Sequence, residues 1–287
     1  MPERTVWLNG QLVRGHAAAL SVFDRGARDG GALFETLRAY GGRPFAWEHH
    51  MERMVLSAAE LGFPVPPSPS RLRLAVDEVL AAEGLTDAVV RITVTRGIPG
   101  SRPVRTGAWV EAEALGGRLW VGKRMRHPED DGPAGGRAIL SETPFTPGLL
   151  GRHKTTSRLA YDLAREEARA AGADEALLVS PAGEVLEGAA SNLFVVRSGG
   201  DVITPPLSAD VLPGVTRALV IGLCAGLGIP VREAAVPLEM LRWAEEAFVT
   251  NSVQEVLPLA RVAGRAVPGR DVGLRLLAAY HARIAAG

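Results

Sequence analysis

The sequence is poor in cysteine, in lysine, in net charge and in long apolar runs, and each shortage excludes a class of protein. A single cysteine, Cys224, excludes an intrachain disulfide framework and a cysteine-rich metal site, and no other pattern predicts a metal. Basic and acidic residues both number 32, so we expect no nucleic-acid or membrane-surface partner. No run of 18 apolar residues occurs, and the start, MPERTVWLNG, lacks the apolar core of a signal peptide. We therefore expect a cytoplasmic protein.

Lysine is the rarest charged residue. The 32 basic residues comprise 30 arginines and two lysines, Lys123 and Lys154. An arginine stays protonated in proteins, whereas a lysine amine can lose its proton and act as a nucleophile or base. In a composition that favours arginine wherever only positive charge is needed, a retained lysine is a candidate for chemistry. The alternative for each lysine is an ordinary surface charge.

The length of 287 residues, with 47% apolar and 22% charged residues, fits one large or two ordinary globular domains. The polar segment 125–136, which contains HPEDDGPAGG, lacks periodicity and predicts an interdomain linker. It separates a small α+β domain, residues 1–124, from a larger α/β domain, residues 137–287. The predicted fold class is α/β, with the cleft between the domains as the expected site.

Local patterns predict the elements of both domains. Asn9-Gly10 predicts a tight hairpin, because this dipeptide supplies the positive φ angles of a type I′ turn. The other predicted elements of the small domain are a strand at 33–40, a helix at 49–61, a helix capped by Ser70 and a strand at 88–95. Those of the large domain are helices at 156–171, after Pro213-Gly214 and at 270–285, and strands at 175–179, 184–187, 192–197 and 229–236.

Two residues of the large domain are candidates for chemistry at element ends. Lys154, in GRHKTTSRLAY, directly precedes a predicted helix. Glu187 ends a short strand and is followed by the small residues Gly188, Ala189 and Ala190, which would let a flat ligand approach the backbone. A carboxylate there can hold a positive ring nitrogen. The alternatives are a solvated lysine and a solvated turn carboxylate.

Three segments offer donors for an anion. In LPGVTR, the backbone N–H groups of Val215 and Thr216 and the Thr216 hydroxyl lie at a predicted helix start, which suits a phosphate, although simple capping is the alternative. Ser252 follows a strand end in FVTNSVQEVLP. Arg53, in HHMERM, could bind a phosphate through two donors, although most helix arginines are solvated.

A lysine amine, a carboxylate for a cationic ring and phosphate donors are the protein groups that pyridoxal 5′-phosphate requires. The chain resembles, over nearly its whole length, the class IV pyridoxal-phosphate aminotransferases, which include branched-chain aminotransferase, D-amino acid aminotransferase and 4-amino-4-deoxychorismate lyase. Six ordered segments carry the resemblance: FDRGARDGGALFETLRAYGGRPF, HHMERM, HKTTSRL, ADEALLVSPAGEVLEGAASNLFVV, TPPLSADVLPGVTR and AFVTNSVQEVLPL.

The resemblance implies the two-domain fold of that family and a homodimer. It implies that Lys154 is the Schiff-base lysine and Glu187 the carboxylate at the pyridine nitrogen. It also implies a set of phosphate-binding positions: Arg53, Val215, Thr216 and Ser252.

Three functions stay open from the sequence. The first is an aminotransferase that moves an amino group between a 2-oxo acid and an amino acid (branched-chain or related, L or D) or amine. The second is 4-amino-4-deoxychorismate lyase, which releases pyruvate to form 4-aminobenzoate; Arg158, Asn251 and Ser252 motivate it. The third is a non-enzymatic cofactor-storage protein, which the retained lysine disfavours. Branched-chain members usually carry a tyrosine where this chain has Leu159, so the role of nearby Tyr161 is open.

The strand at 33–40 supplies part of the predicted substrate pocket. Side chains alternate along a strand, so Phe34 and Arg38 share one face and offer an apolar wall beside a fixed positive charge. Arg96, at the end of the next predicted strand, is a second candidate for a substrate carboxylate. The alternative is that both arginines are solvated and Phe34 belongs to the core.

Overall fold

The computed structural model describes residues 4–100, 106–115 and 135–286, and the chain divides into two units. The first unit comprises residues 1–120 and 153–157, and the second comprises residues 121–152 and 158–287. Lys154 therefore belongs to the first unit. Lys123 and residues 125–134 of the predicted linker lie outside the described residues.

The first unit contains an antiparallel sheet and three helices in its described residues. Among the described residues it has six strands in the spatial order β2-β1-β6-β5-β3-β4. The strands are β1 (Thr5–Leu8), β2 (Gln11–Arg14), β3 (Ala32–Tyr40), β4 (Arg43–Pro44), β5 (Ala88–Thr95) and β6 (Ala108–Ala114). The helices are α1 (Arg25–Asp29), α2 (Trp47–Glu60) and α3 (Pro69–Glu83), with a 3-10 turn at Gly15–Ala17.

Turn and cap residues explain where these elements begin. Asn9 and Gly10 have φ angles of +50° and +103°, and Leu8 pairs with Gln11, which confirms the predicted hairpin. The predicted cap of α3 at Ser70 is wrong. The cap is Ser68, whose hydroxyl accepts the Arg71 N–H at 3.2 Å, and Pro69 opens the helix because its fixed φ suits the first helical position.

The core of the first unit lies between one face of the sheet and helices α2 and α3. Leu37 and Ala39 of β3 point into it, as the alternation along the strand predicts. Met51 and Met54 of α2 and Val76 of α3 pack against them, at the spacing of one helical face.

The second unit contains a mixed sheet, whose strands in the described part of the chain follow the order β12-β11-β10-β13-β14-β7-β8-β9, with β15 beside β14. Parallel pairs join β11 to β12, β14 to β7 and β7 to β8. The strands are β7 (Gly136–Leu140), β8 (Glu175–Val179), β9 (Val185–Gly188), β10 (Asn192–Val196), β11 (Val202–Thr204), β12 (Val231–Glu233), β13 (Glu246–Asn251), β14 (Glu255–Val262) and β15 (Arg265–Ala266).

Helices complete the second unit. They are α4 (Gly148–Gly151), α5 (Leu159–Ala170), α6 (Val215–Gly226), α7 (Leu238–Arg242) and α8 (Asp271–Ala286), with a 3-10 turn at Leu207–Ala209. The helix predicted over 156–171 begins only at Leu159, because Thr155 pairs with Leu33 and the Thr156 N–H donates to the Ala32 carbonyl, so both residues are bonded to the start of β3. In the part of the chain that is described, no helix is both long and apolar enough to cross a membrane.

Candidate active site

Lys154 is fixed to the start of β3 by main-chain hydrogen bonds. Its carbonyl accepts the Phe34 N–H at 2.9 Å, and two residues further the Thr156 N–H donates to the Ala32 carbonyl at 2.9 Å. The Lys154 Nζ lies 4.6 Å from the centre of the Phe34 ring, whose electron-rich face attracts a cation. The backbone pairing therefore holds the amine beside an aromatic side chain that is only 4% exposed.

A buried ionic cluster formed by Glu35, His50 and Arg53 lies next along β3. Glu35 is 1% exposed and accepts hydrogen bonds from Arg53 Nε at 2.8 Å, Arg53 Nη2 at 2.5 Å and His50 Nδ1 at 2.7 Å. Burial raises the pKa of Glu35, but the Arg53 charge and the His50 hydrogen bond outweigh it and lower the pKa to about 2. Because an ionised carboxylate only accepts, the proton of this hydrogen bond lies on His50 Nδ1.

His50 is neutral in this cluster at neutral pH. Burial lowers the pKa of its imidazole below the usual value, against the raising effect of Glu35. The positive charges of Arg53 and Lys154 lower the pKa of His50 further. Near Lys154, the negative charge of Glu35 and the positive charge of Arg53 therefore offset one another, and His50 adds no charge.

The three predicted substrate residues, Phe34, Arg38 and Arg96, each contact different groups of the first unit. The Arg38 guanidinium lies 4.4 Å from the centre of the Tyr40 ring on the same strand face. The Arg96 Nη2 donates to the Leu61 carbonyl at 2.5 Å and to the Gly62 carbonyl at 3.2 Å, just after α2 ends. Phe34 is buried, and its ring also lies under the Arg91 guanidinium, at 3.9 Å. The substrate roles of Phe34, Arg38 and Arg96 stay predictions.

Glu187 is a buried carboxylate of the second unit, on β9. It is 2% exposed and accepts hydrogen bonds from the Tyr161 hydroxyl at 3.3 Å, the Asn192 Nδ2 at 3.3 Å and the Leu212 N–H at 3.1 Å. All three donors are neutral groups. They orient the carboxylate without adding positive charge of their own.

Tyr161 is half-buried and packs against Phe145, edge to face at 4.8 Å between ring centres. Burial and the negative charge of Glu187 raise the pKa of the Tyr161 hydroxyl, so it remains a donor at any working pH. The Arg158 guanidinium lies 5.1 Å from the centre of the same ring. The role of Tyr161 that the sequence left open is, in this structure, that of a donor to Glu187.

The small residues after Glu187 form a tight loop. A Cβ at Gly188 would overlap the Ser191 hydroxyl, which donates to the buried Glu175 carboxylate at 2.6 Å. Side chains on two other elements support the loop from outside. The Arg158 Nη2 donates to the Ala189 carbonyl at 2.9 Å, and the Asn251 Nδ2 donates to the Ala190 carbonyl at 3.0 Å.

The predicted anion site at the start of α6 has the geometry of an open helix N-terminus. Gly214 is the cap residue in extended conformation, and no side chain caps the helix. Thr216 is 2% exposed, and within the described ranges its Oγ1 has no hydrogen-bond partner. Ser252 directly follows β13, in a turn where the Asn251 Oδ1 accepts the N–H groups of Val253 and Gln254.

Sequence reasoning missed Glu35, His50 and Asn192. A charged residue at a core-facing position of a strand needs a buried partner, and this rule could have flagged Glu35. His50 and Arg53 are three residues apart on α2, so both face the same neighbour. The carboxamide of Asn192, in contrast, donates both to Glu187 and to the Leu212 carbonyl, and no local signal in the sequence predicts that pair of contacts.

Comparison with known proteins places the chain in a family. The profile of the family described as amino-transferase class IV matches residues 32–262. A branched-chain-amino-acid aminotransferase of Escherichia coli strain K12 is 31% identical over 277 residues, covering 93% of this chain and 86% of the relative. A D-alanine aminotransferase of Listeria innocua is 30% identical over 262 residues, covering 90% of this chain and 88% of the relative.

A solved structure agrees with these relatives. The branched-chain aminotransferase of Thermoproteus uzoniensis, solved with norvaline, superposes with a TM-score of 0.84 at 30% identity, over 97% of this chain and 94% of that one. The predicted fold class is confirmed, and the lyase alternative is not favoured by the relatives found. The chain belongs to the class IV aminotransferase family.

Proposed function

We propose that this enzyme transfers amino groups with pyridoxal 5′-phosphate held at Lys154. The observation that carries the proposal is the placement of Lys154, one of two lysines in the chain. Its backbone is bonded to β3 and its amine lies on the Phe34 ring. The ring contact distinguishes this amine from that of a fully solvated surface lysine.

The second unit fits the two ends of this cofactor. The Thr216 hydroxyl, buried and without a partner in the described part of the chain, lies at a helix N-terminus, which favours a phosphate. The buried Glu187, oriented by hydrogen bonds from Tyr161, Asn192 and Leu212, is the proposed acceptor for a protonated ring nitrogen, because an opposite charge favours an ionised carboxylate.

Each residue then has a defined task. Pyridoxal phosphate, when bound, supplies a carbonyl group that accepts the amino group and a ring that withdraws electrons from the substrate α-carbon. Lys154 Nζ takes the proton from that α-carbon and returns a proton in the reverse half of the cycle. Glu187 holds the proton on the ring nitrogen. Val215, Thr216 and Ser252 bind the phosphate.

Arg53 is proposed as a further phosphate ligand. A guanidinium has five N–H donors, and Glu35 accepts from two of them, on Nε and Nη2. The same bidentate bond fixes the plane of the guanidinium. We propose that a phosphate oxygen accepts from another of its N–H groups.

The proposed substrates are a branched-chain amino acid as donor and a 2-oxo acid as acceptor. Phe34 supplies an apolar wall, and Arg38 and Arg96 are the proposed carboxylate ligands. The relatives named for branched-chain substrates support this choice, and the D-alanine relative makes D-alanine the competing donor.

We propose further that the enzyme works as a homodimer in the cytoplasm. Helix α5 exposes Leu159 and Leu163, which lie four residues apart on one helical face, with exposed fractions of 74% and 50%. A second copy of the chain would cover such an apolar stripe. Sedimentation equilibrium should give the mass of two chains.

The test is the half-reaction with an amino donor in the absence of an acceptor. L-leucine should convert the bound cofactor, measured by absorbance, to its amine form in one turnover, with D-alanine as the comparison donor. Lys154→Ala should lose at least about three orders of magnitude in this rate, because both attachment and proton transfer are removed. Lys123→Ala is the matched control and should keep the rate. An unchanged rate in Lys154→Ala would refute the proposal.

A further inference from the structure

Asn192, the first residue of β10, is a buried carboxamide between two parts of the proposed cofactor site. Its Nδ2 donates to Glu187 Oε2 at 3.3 Å and to the Leu212 carbonyl at 2.9 Å. The N–H of Leu212 donates to the same Glu187 oxygen at 3.1 Å. Asn192, Leu212 and Glu187 therefore form a closed set of three hydrogen bonds.

The oxygen of the same carboxamide restrains the turn that precedes α6. A Cβ at position 214 would collide with Asn192 Oδ1, so only glycine lets the backbone lie so close to this side chain. Gly214 is directly followed by Val215 and Thr216, the proposed phosphate ligands. One side chain therefore contacts both the carboxylate and the phosphate turn.

We propose that Asn192 is a positioning residue that fixes the distance between Glu187 and the phosphate turn. This inference rests on the proposed function. Pyridoxal phosphate is a rigid ring with its nitrogen and its phosphate arm at separate positions, so both protein contacts must be correctly spaced at the same time. A displaced turn would bind phosphate poorly, and a rotated Glu187 would lose its hold on the ring proton.

The first test compares Asn192→Ala with a control that loses a buried hydrogen bond elsewhere in the same sheet. Thr204→Val is suitable, because the Thr204 Oγ1 is fully buried and donates to the Leu193 carbonyl at 2.7 Å. The first readout is the rise in Tm that inorganic phosphate produces in the cofactor-free chain. The second is kcat with saturating pyridoxal phosphate.

We expect Asn192→Ala to reduce the phosphate-induced rise in Tm to less than about half of the wild-type rise, and kcat by about tenfold. Thr204→Val should keep the wild-type phosphate-induced rise in Tm and the wild-type kcat, even if its own Tm falls as much as that of Asn192→Ala. If the two variants differ only in unfolding temperature, with the same phosphate response and kcat, Asn192 is a structural residue and the inference is wrong.

The second test uses Asn192→Asp, which keeps the size of the side chain and loses the Nδ2 donor. An ionised aspartate would repel Glu187, whereas a protonated one would donate a hydrogen bond again. The kcat of this variant should therefore rise as the pH is lowered from 8 to about 5.5, relative to wild type and to Thr204→Val. A profile parallel to that of the wild type would overturn the inference, and this test also decides the case if Asn192→Ala does not fold.

The two proposals fail in different ways. A wild-type half-reaction rate in Lys154→Ala would remove the proposed function, whatever the Asn192 variants do. A Lys154-dependent half-reaction combined with Asn192 variants that behave like Thr204→Val would remove only the role of Asn192.

Discussion

Glu35 in the first unit and Glu187 in the second are both almost fully buried, but the hydrogen-bond donors described for them differ in charge. Glu35 accepts two hydrogen bonds from Arg53 and one from His50, so an opposite charge lies within 2.8 Å of its oxygens. Glu187 accepts from a phenol, a carboxamide and a backbone N–H. Burying a carboxylate is costly unless hydrogen bonds or an opposite charge compensate for the lost water, and a different set of donors binds each of these two carboxylates.

The difference predicts different consequences of substitution at the two carboxylates. The charge of Glu35 is compensated by Arg53, and removing either partner would leave the other charge buried. The donors from Tyr161, Asn192 and Leu212 fix the orientation of Glu187, which is the proposed ligand of the cofactor ring nitrogen. We therefore expect Glu35 variants to lose mainly stability, and Glu187 variants to lose mainly turnover.

The largest effect should come from acid acting on Glu35. Its pKa falls from 4.5 to about 2 on folding, so ionised Glu35 stabilises the fold above about pH 4.5 and loses this contribution as the pH falls towards 2. The shift corresponds to about 3 kcal/mol of unfolding free energy. His50, whose pKa is also lowered, adds a loss that begins below about pH 6.5.

Chemical denaturation from pH 7 to pH 3 measures this dependence. The Glu35→Gln variant should be less stable at pH 7, because Arg53 loses its counter-charge, and its stability should fall less steeply below pH 4.5. Parallel curves for wild type and variant would contradict the account.

Glu187→Gln should sharpen the contrast by lowering kcat about a hundredfold while its unfolding free energy falls less than that of Glu35→Gln. The glutamine amide keeps one oxygen for the Asn192 and Leu212 donors, its NH2 group can donate to the Tyr161 hydroxyl oxygen, and the cost of burying a charge is relieved. Stopped-flow absorbance for the half-reaction and denaturation at pH 7 give both numbers. A Glu35→Gln variant that keeps its stability and loses activity, beside a Glu187→Gln variant that loses stability and keeps activity, would contradict the comparison.

Arg38→Ala and Arg96→Ala should each lower kcat/KM on carboxylate substrates by roughly one to two decades, with an unchanged cofactor spectrum. Arg96→Ala should also lose stability, because its guanidinium binds the carbonyls of Leu61 and Gly62 after α2. The surface residue Arg73, paired with Asp77, is the control. If both variants match Arg73→Ala in kcat/KM, the pocket assignment is removed.

Local patterns predict much of the fold. The Asn9-Gly10 hairpin, the alternation of β3 and the Pro-Gly start of α6 are short-range features, and all three are confirmed. Strand β14 shows where such reasoning stops. It carries Pro258 although it lies between β13 and β7, and a proline normally argues against a central strand. A register shift beside it, between Leu259 and Arg261, accommodates the irregularity.

The residues of the candidate site also divide into those that local patterns predict and those that they do not. The candidates Lys154, Glu187 and Thr216 can be proposed from residue type and element ends. Other groups of the site are joined by contacts between elements: Arg53 of α2 reaches Glu35 of β3, and Asn192 of β10 reaches both Glu187 and the Leu212 carbonyl. Such contacts depend on tertiary pairing, which periodicity within one element does not encode.

The most direct test of the central claim uses the scarcity of lysine. Borohydride reduction of the enzyme loaded with pyridoxal phosphate fixes the cofactor to the amine that holds it, and peptide mass spectrometry then locates the label. The chain offers two lysines, Lys123 and Lys154, so the map has two possible side-chain sites. We predict a stoichiometric label on Lys154 and none on Lys123. A label on Lys123, or an unlabelled Lys154, would contradict the account.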